Sequence, residues 1–130
     1  MRGLRELSVK GYDSCGLASL DKETAEIAVS KHAQENRYGG DCLMKLAASL
    51  KTMHKGSLGI AHTRWATHGD KTDHNAHPHT DQKKRIALVH NGIIENCQLL
   101  RDELATEHSI IPQSETDSEV IALFIGVFLD

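Results

Sequence analysis

The sequence predicts an α+β domain, and three observations carry that prediction. Two short strand-like runs, from Gly16 to Leu20 and from Ile27 to Ser30, flank the polar turn Asp21-Lys22-Glu23. Apolar residues recur at helical spacing at Leu43, Leu46, Ala47 and Leu50, and again at Val120, Ile121, Phe124 and Phe128. Between these stripes, Ile86-Ala87-Leu88-Val89 reads as the centre of a buried strand from Arg85 to His90.

The elements follow in order. Leu4 and Leu7 fit the last turn of a helix that stops near Gly11. The strand–turn–strand comes next, and Asp41 then caps the first amphipathic helix. A strand is expected from Ser57 to Thr63. From Thr67 to Lys84 the chain is polar, rich in His, Asp and Asn, and without periodicity, which predicts a long ordered loop or a lid. After the buried strand, Asn96 is placed to cap a helix carrying Leu99, Leu100 and Leu104. The last helix starts near Thr116.

Composition narrows the function classes. The 130 residues suffice for one domain with a core, and 39% hydrophobic and 25% charged residues are ordinary for a globular protein. A net charge of -3 with no basic stripe argues against nucleic acid as a partner. The longest apolar run, Val120 to Leu129, is broken by Gly126 and is too short to span a bilayer, so no membrane is expected. The charged start Met1-Arg2-Gly3-Leu4-Arg5-Glu6 lacks the apolar core of a secretory signal. Three scattered cysteines, Cys15, Cys42 and Cys97, do not form a disulfide framework and point to a reducing, cytoplasmic setting. Both termini read as interior to something larger. The first residues enter in mid-helix, and the last leave Phe124, Ile125, Phe128 and Leu129 on an apolar stripe.

The chemistry concentrates in Gly59-Ile60-Ala61-His62-Thr63-Arg64-Trp65-Ala66-Thr67-His68-Gly69. A half-apolar strand ends here in Arg64, Trp65, Thr67 and His68. Arg offers a planar fork for a carboxylate, Thr and His add polar contacts, and Trp can cover a small ligand. His90-Asn91-Gly92 offers an amide and a glycine N–H for an oxyanion, although Asn-Gly taken alone is a common turn. Ser114-Glu115-Thr116-Asp117 has the form of a helix cap whose Asp117 also faces the pocket. An Arg for a carboxylate and an Asp for an amine describe a site for a free amino acid. A metal is not expected at His74, His77 and His79, because no thiolate or carboxylate stands convincingly beside them. Cys15 reads as a small buried residue entering a strand.

Five segments then occur in a telling order: Gly11-Tyr12-Asp13-Ser14, His62 to Gly69, Asn75-Ala76-His77-Pro78-His79, His90-Asn91-Gly92-Ile93-Ile94-Glu95-Asn96, and Ser114-Glu115-Thr116-Asp117. Together they resemble the glutaminase domain of the isomerising glutamine–fructose-6-phosphate aminotransferases, class II amidotransferases that make glucosamine 6-phosphate. The resemblance implies an N-terminal-nucleophile fold, two antiparallel sheets stacked between helical layers (an αββα sandwich), with no cofactor. It implies glutamine as the ligand. Arg64, Thr67 and His68 would bind its α-carboxylate, and Asp117 with the Gly92 carbonyl its α-amine. Asn91 and the Gly92 N–H would form the oxyanion hole. Trp65 would lie on the loop that closes over glutamine.

The same resemblance implies departures. The family's nucleophile is an N-terminal cysteine whose free α-amine serves as base. Each of Cys15, Cys42 and Cys97 has its nitrogen in an amide, so none can take that place. The family also favours Arg immediately before Gly-Tyr-Asp-Ser, where this chain has Lys10. Residues 1–130 are therefore expected to form a partial domain without the first strand. The sugar-phosphate isomerase domain, and any oligomer contact it provides, would lie elsewhere. The alternative expectation is a non-catalytic remnant that binds glutamine or a partner.

Overall fold

The computed structural model describes residues 12–35, 41–53, 56–65 and 69–130. The helical turn expected around Leu4 and Leu7, together with Lys10, Thr67 and His68, lies outside the described residues. The architecture is α+β, as the periodicities require.

Strands β1 (Ser14–Leu20) and β2 (Ile27–Ala33) form the expected hairpin, with Leu20 opposite Ile27 and Ser14 opposite Ala33. The turn closes because Asp21 folds back on its own backbone: its Oδ1 accepts the N–H of Glu23 at 2.8 Å and of Thr24 at 3.3 Å. Strand β3 (Leu58–Arg64) pairs antiparallel with the other edge of β1, giving the order β2-β1-β3. Side chains alternate across this sheet. One face carries Cys15 and Leu17, which pack with Cys42, Leu43 and Leu46 of helix α1 (Asp41–Ser49). Asp41 lies in the first turn of that helix, and its Oδ2 accepts the Glu35 N–H at 2.9 Å. The opposite face of the sheet carries Ser14 and Gly16 beside Arg64 and His62.

The expected strand from Arg85 to His90 shortens to β5 (Ala87–Leu88), paired with β4 (His79–Thr80). The reason lies in its amides. Arg85 and Ile86 donate their N–H groups to Asp81 Oδ1, and His90 donates its N–H to His77 Nδ1. Side chains thus satisfy at both ends what a ladder would satisfy in a longer strand. Arg85 also fastens helix α3 (Asp117–Phe128), donating to Asp81 Oδ2 at 2.8 Å and to the Gly126 carbonyl at 2.6 Å. Burial alone would raise the Asp81 carboxyl, but the bonds from Arg85 and Ile86 outweigh it and hold the group below its usual range.

Helix α2 (Cys97–His108) and α3 share a second core of Leu104, Ile110, Val120 and Leu123. Four expectations for these helices are corrected. Asn96 occupies the N-cap position of α2 without a side-chain capping bond, and Leu99 points outward. Phe128 is 83% exposed, because the buried stripe of α3 runs through Val120, Leu123 and Gly126 and leaves Phe128 at its edge. Thr116 is the N-cap residue of α3 but caps nothing with its hydroxyl; Glu119 instead accepts the amides of Gln113 and Ser114.

Helix α2 ends at Ser109, which sits in the left-handed region at φ 55°, while Ile110 donates its N–H to the Leu104 carbonyl at 2.9 Å and buries its side chain against Leu104. A side chain with a Cβ pays about 1 kcal/mol in that conformation. Ser109→Gly should therefore raise the free energy of unfolding by about 0.5–1 kcal/mol. Leu104→Ala should lower it by about 2–5 kcal/mol. Urea unfolding followed by circular dichroism measures both, and a Ser109→Gly protein no more stable than the parent would show that the left-handed cap is not the strained position.

Candidate active site

The site begins with the alternation of β3. His62 and Arg64 are two residues apart, so they share the sheet face turned away from α1. Opposite His62 in the register stands Gly16. A Cβ at Gly16 would lie 2.0 Å from the His77 carbonyl oxygen, so the missing side chain is what lets the long loop lie directly on the sheet. The His77 ring then stacks on His62 with centroids 4.5 Å apart, and His79 meets His77 edge-on at 4.9 Å.

All three rings are buried. Burial, helped by the positive field of Arg64 and Lys31 and by the neighbouring imidazoles, pushes His77 down to about 3 and His79 down to about 2. His62 is also lowered, chiefly by burial. These are neutral aromatic packers with polar edges. His79 Nε2 meets Thr116 Oγ1 at 2.9 Å, and that hydroxyl meets Ser114 Oγ at 2.8 Å.

The loop is anchored at a second point by Asn75. Its Nδ2 donates to the Asp70 carbonyl at 2.9 Å and to Glu115 Oε2 at 2.7 Å, and its Oδ1 accepts the Glu115 N–H at 2.8 Å. Glu115 Oε2 also accepts the Asp70 N–H at 2.7 Å. The amides of Asp70 and Asn75 hold the Glu115 carboxyl below its usual range. Arg64 is 6% exposed and donates through Nη1 to the Asp70 carbonyl at 3.4 Å, while Asp13 and Glu115 supply negative field around it.

Arg64, Trp65, Asn91, Gly92 and Asp117 line one cleft of about 740 Å³. That is ample for a small polar metabolite. Trp65 is 66% exposed. Asn91 Oδ1 accepts a hydrogen bond from His62 Nε2 at 2.8 Å. Gly92 passes under the His90 ring, where a Cβ would come within 2.4 Å of Nε2. Asp117 accepts the Ile94 N–H through Oδ2 at 2.8 Å and the Ser118 hydroxyl through Oδ1 at 3.2 Å. The cleft therefore combines a buried guanidinium, a carboxylate and a side-chain amide, which suits a ligand carrying both charges and a reactive carbonyl.

A family profile described as "Glutamine amidotransferase domain" matches residues 15–126. The chain belongs to this family. It is similar to glutamine–fructose-6-phosphate aminotransferases (isomerizing) from several bacteria. The Listeria monocytogenes protein is 40% identical over 128 residues, covering 98% of this chain and 20% of the relative. The Synechocystis protein is 45% identical over 130 residues, covering 99% of this chain and 19% of the relative. The Streptomyces coelicolor protein is 47% identical over 124 residues, covering 94% of this chain and 18% of the relative. The chain thus spans about a fifth of the length of these relatives.

In this amidotransferase domain the structure gathers Arg64, Trp65, Asn91, Gly92 and Asp117, while Thr67 and His68 fall outside the described residues. Of the cysteines, Cys15 and Cys42 are buried behind the sheet and Cys97 is half-buried at the cleft. Reading the sequence missed the supporting residues His62, Asn75 and Glu115. The period-2 spacing of His62 and Arg64 was available as a signal; the Asn75–Glu115 bond, across 40 residues, was not.

The buried rings make stability depend on pH. In the unfolded chain each histidine titrates near 6.5, so on acidification the unfolded state takes up protons that folded His77 and His79 refuse. Their contribution is complete above pH 6.5 and is lost as pH falls toward about 3. The loss approaches about 1.4 kcal/mol per pH unit for each ring. Urea midpoints measured from pH 7.5 to 4.5 should fall steeply, and His79→Gln, which has no proton to gain, should remove one ring's share, about 1.4 kcal/mol per pH unit. A profile unchanged by that substitution would show that His79 is not held neutral.

Proposed function

We propose that this chain is the glutamine-binding and glutaminase part of an aminotransferase that makes glucosamine 6-phosphate from fructose 6-phosphate and glutamine. The observation that carries the reading is the convergence of buried Arg64, Asp117 and the Asn91-Gly92 pair on one cleft, in a chain whose relatives bear that activity in their names. Arg64 takes the α-carboxylate of glutamine, joined by Thr67 and His68. Asp117, held in place by the Ile94 amide, takes the α-amine together with the Gly92 carbonyl. That leaves the side-chain amide of glutamine beside Asn91 and the Gly92 N–H, which receive the negative oxygen of the tetrahedral intermediate. Trp65, exposed at the cleft, closes over the bound amino acid and limits water.

The attacking thiol is assigned to an N-terminal cysteine, whose free amine accepts its proton. Cys15, Cys42 and Cys97 are not given that role. The helix–sheet–sheet–helix succession of α1, β2-β1-β3, β4-β5 and α3 supports an N-terminal-nucleophile sandwich. The released ammonia passes to a sugar-phosphate isomerase domain, and the cytoplasm is the compartment where both substrates meet. Among the described residues no helix is long and apolar enough to cross a membrane.

Two substitutions separate binding from chemistry. Arg64→Lys exchanges a two-pronged fork for a single, strongly hydrated charge, so it should weaken glutamine binding by about 1.5–3 kcal/mol. The effect belongs in KM, because the α-carboxylate has the same charge in ground and transition states. Asn91→Ala should lower kcat by about a hundredfold or more, because the oxyanion exists only in the transition state. Steady-state ammonia release by a protein that carries the N-terminal cysteine measures both; an Arg64→Lys enzyme with normal KM and low kcat would remove Arg64 from carboxylate binding.

A further inference from the structure

Asn91 can serve an oxyanion only if its NH2 end, and not its carbonyl end, faces the cleft. The two ends of a side-chain amide have nearly the same shape, so packing alone sets their orientation poorly. A hydrogen bond of defined polarity sets it well.

His62 supplies such a bond. Its Nε2 lies 2.8 Å from Asn91 Oδ1. A carbonyl oxygen only accepts, so Nε2 must carry the proton. The proton stays there for three reasons. His62 is 7% exposed, and burial holds the ring neutral. Stacking on His77 at 4.5 Å fixes the ring plane. Nδ1 is buried without a hydrogen-bond partner among the described residues, so nothing there stabilises a proton on that nitrogen. The backbone of His62 is itself fixed in the β1–β3 ladder, opposite Gly16.

We infer that His62 is a positioning residue that acts through Asn91: as a neutral donor with its proton on Nε2, it claims Oδ1 and thereby turns the Asn91 NH2 toward the reacting carbonyl. The inference rests on the glutaminase reading for its consequence, while the tautomer and amide orientation rest on the Nε2–Oδ1 pairing and the unpartnered Nδ1. His62 touches neither substrate nor reacting atoms in this account. Its contribution is the polarity of one hydrogen bond.

The test has two arms. In the protein as produced from its own gene, His62→Leu should lower kcat for ammonia release by roughly ten- to a hundredfold and leave KM for glutamine within about twofold, since it disturbs oxyanion stabilisation and not binding. His62→Gln, whose amide can donate to Asn91 Oδ1, should recover most of the loss. In an Asn91→Ala background His62→Leu should cost nothing further, because the bond it makes is already gone; a merely structural role would add its loss to that of Asn91→Ala. Full additivity in the double variant, or a failure confined to KM, overturns the inference. If His62→Leu does not fold, His62→Phe, which keeps a flat ring but cannot donate, is read in the same way with and without Asn91→Ala.

The second arm is nitrogen-15 NMR of the histidine rings near pH 7. The expected spectrum has His62 neutral and protonated on Nε2. A proton on Nδ1 means that Asn91 donates to Nε2 and turns its carbonyl to the cleft, which overturns the inference whatever the kinetics. A parent protein with no glutaminase activity would instead overturn the function proposed above, and the tautomer would then decide this inference by itself.

Discussion

One side-chain amide holds the cleft together. Asn75 spends both of its ends on the segment 70–117, binding the Asp70 carbonyl, the Glu115 carboxylate and the Glu115 N–H at once. Arg64 reaches Asp70 on one side of this knot, and Asp117 follows Glu115 by two residues on the other. The two charged groups of the cleft are thus referenced to a common point, although Arg64 and Asp117 lie 53 positions apart in the sequence. A buried amide with its bonds filled stabilises; the same amide with one partner removed leaves a desolvated polar atom behind, at a cost of about 1–3 kcal/mol. The separation between the Arg64 guanidinium and the Asp117 carboxylate is therefore as rigid as this network.

How much of this was legible in the sequence depends on where each backbone group finds its partner. The β1–β2 hairpin was readable because its turn residue, its strands and its ladder are all local. The helices α1, α2 and α3 were readable in their stripes at Leu43 and Leu46, at Leu104, and at Val120. The strand around Ile86 was overextended because the amides at both its ends bond to Asp81 and His77, and apolar character carries no record of that. Phe128 was overburied because a helical period says which residues share a face and not how far the neighbour extends. The site shows the same division. Arg64, Asn91 and Asp117 were picked out from their motifs, and the structure places all three on one cleft. Their supports were not, since His62, Asn75 and Glu115 act through contacts spanning 29 and 40 residues.

The histidines show how a residue's chemistry follows its surroundings. Five of the nine fall between His62 and His79. His62 and His77 stack as flat, neutral rings and His79 meets His77 edge-on, while each offers a nitrogen at its edge. Leu or Phe would fill that space equally well but could not meet Asn91, His90 N–H and Thr116 at its rim. Such a layer excludes water from behind the cleft while still fixing polar groups in front of it.

Gly16 gives the cleft unequal walls. On the side of β3, the His77 carbonyl sits where any Cβ at residue 16 would be, so the spacing of the two layers is already at its minimum and cannot be retuned from β1 without prising them apart. On the other side, the chain from 91 to 98 is mostly exposed, with Ile93 68% open to solvent. One wall of the cleft is thus set by close packing and the other is open to solvent. Any change in the width of the cleft therefore has room only along the exposed segment 91–98, while the wall built on β1 and β3 stays where it is.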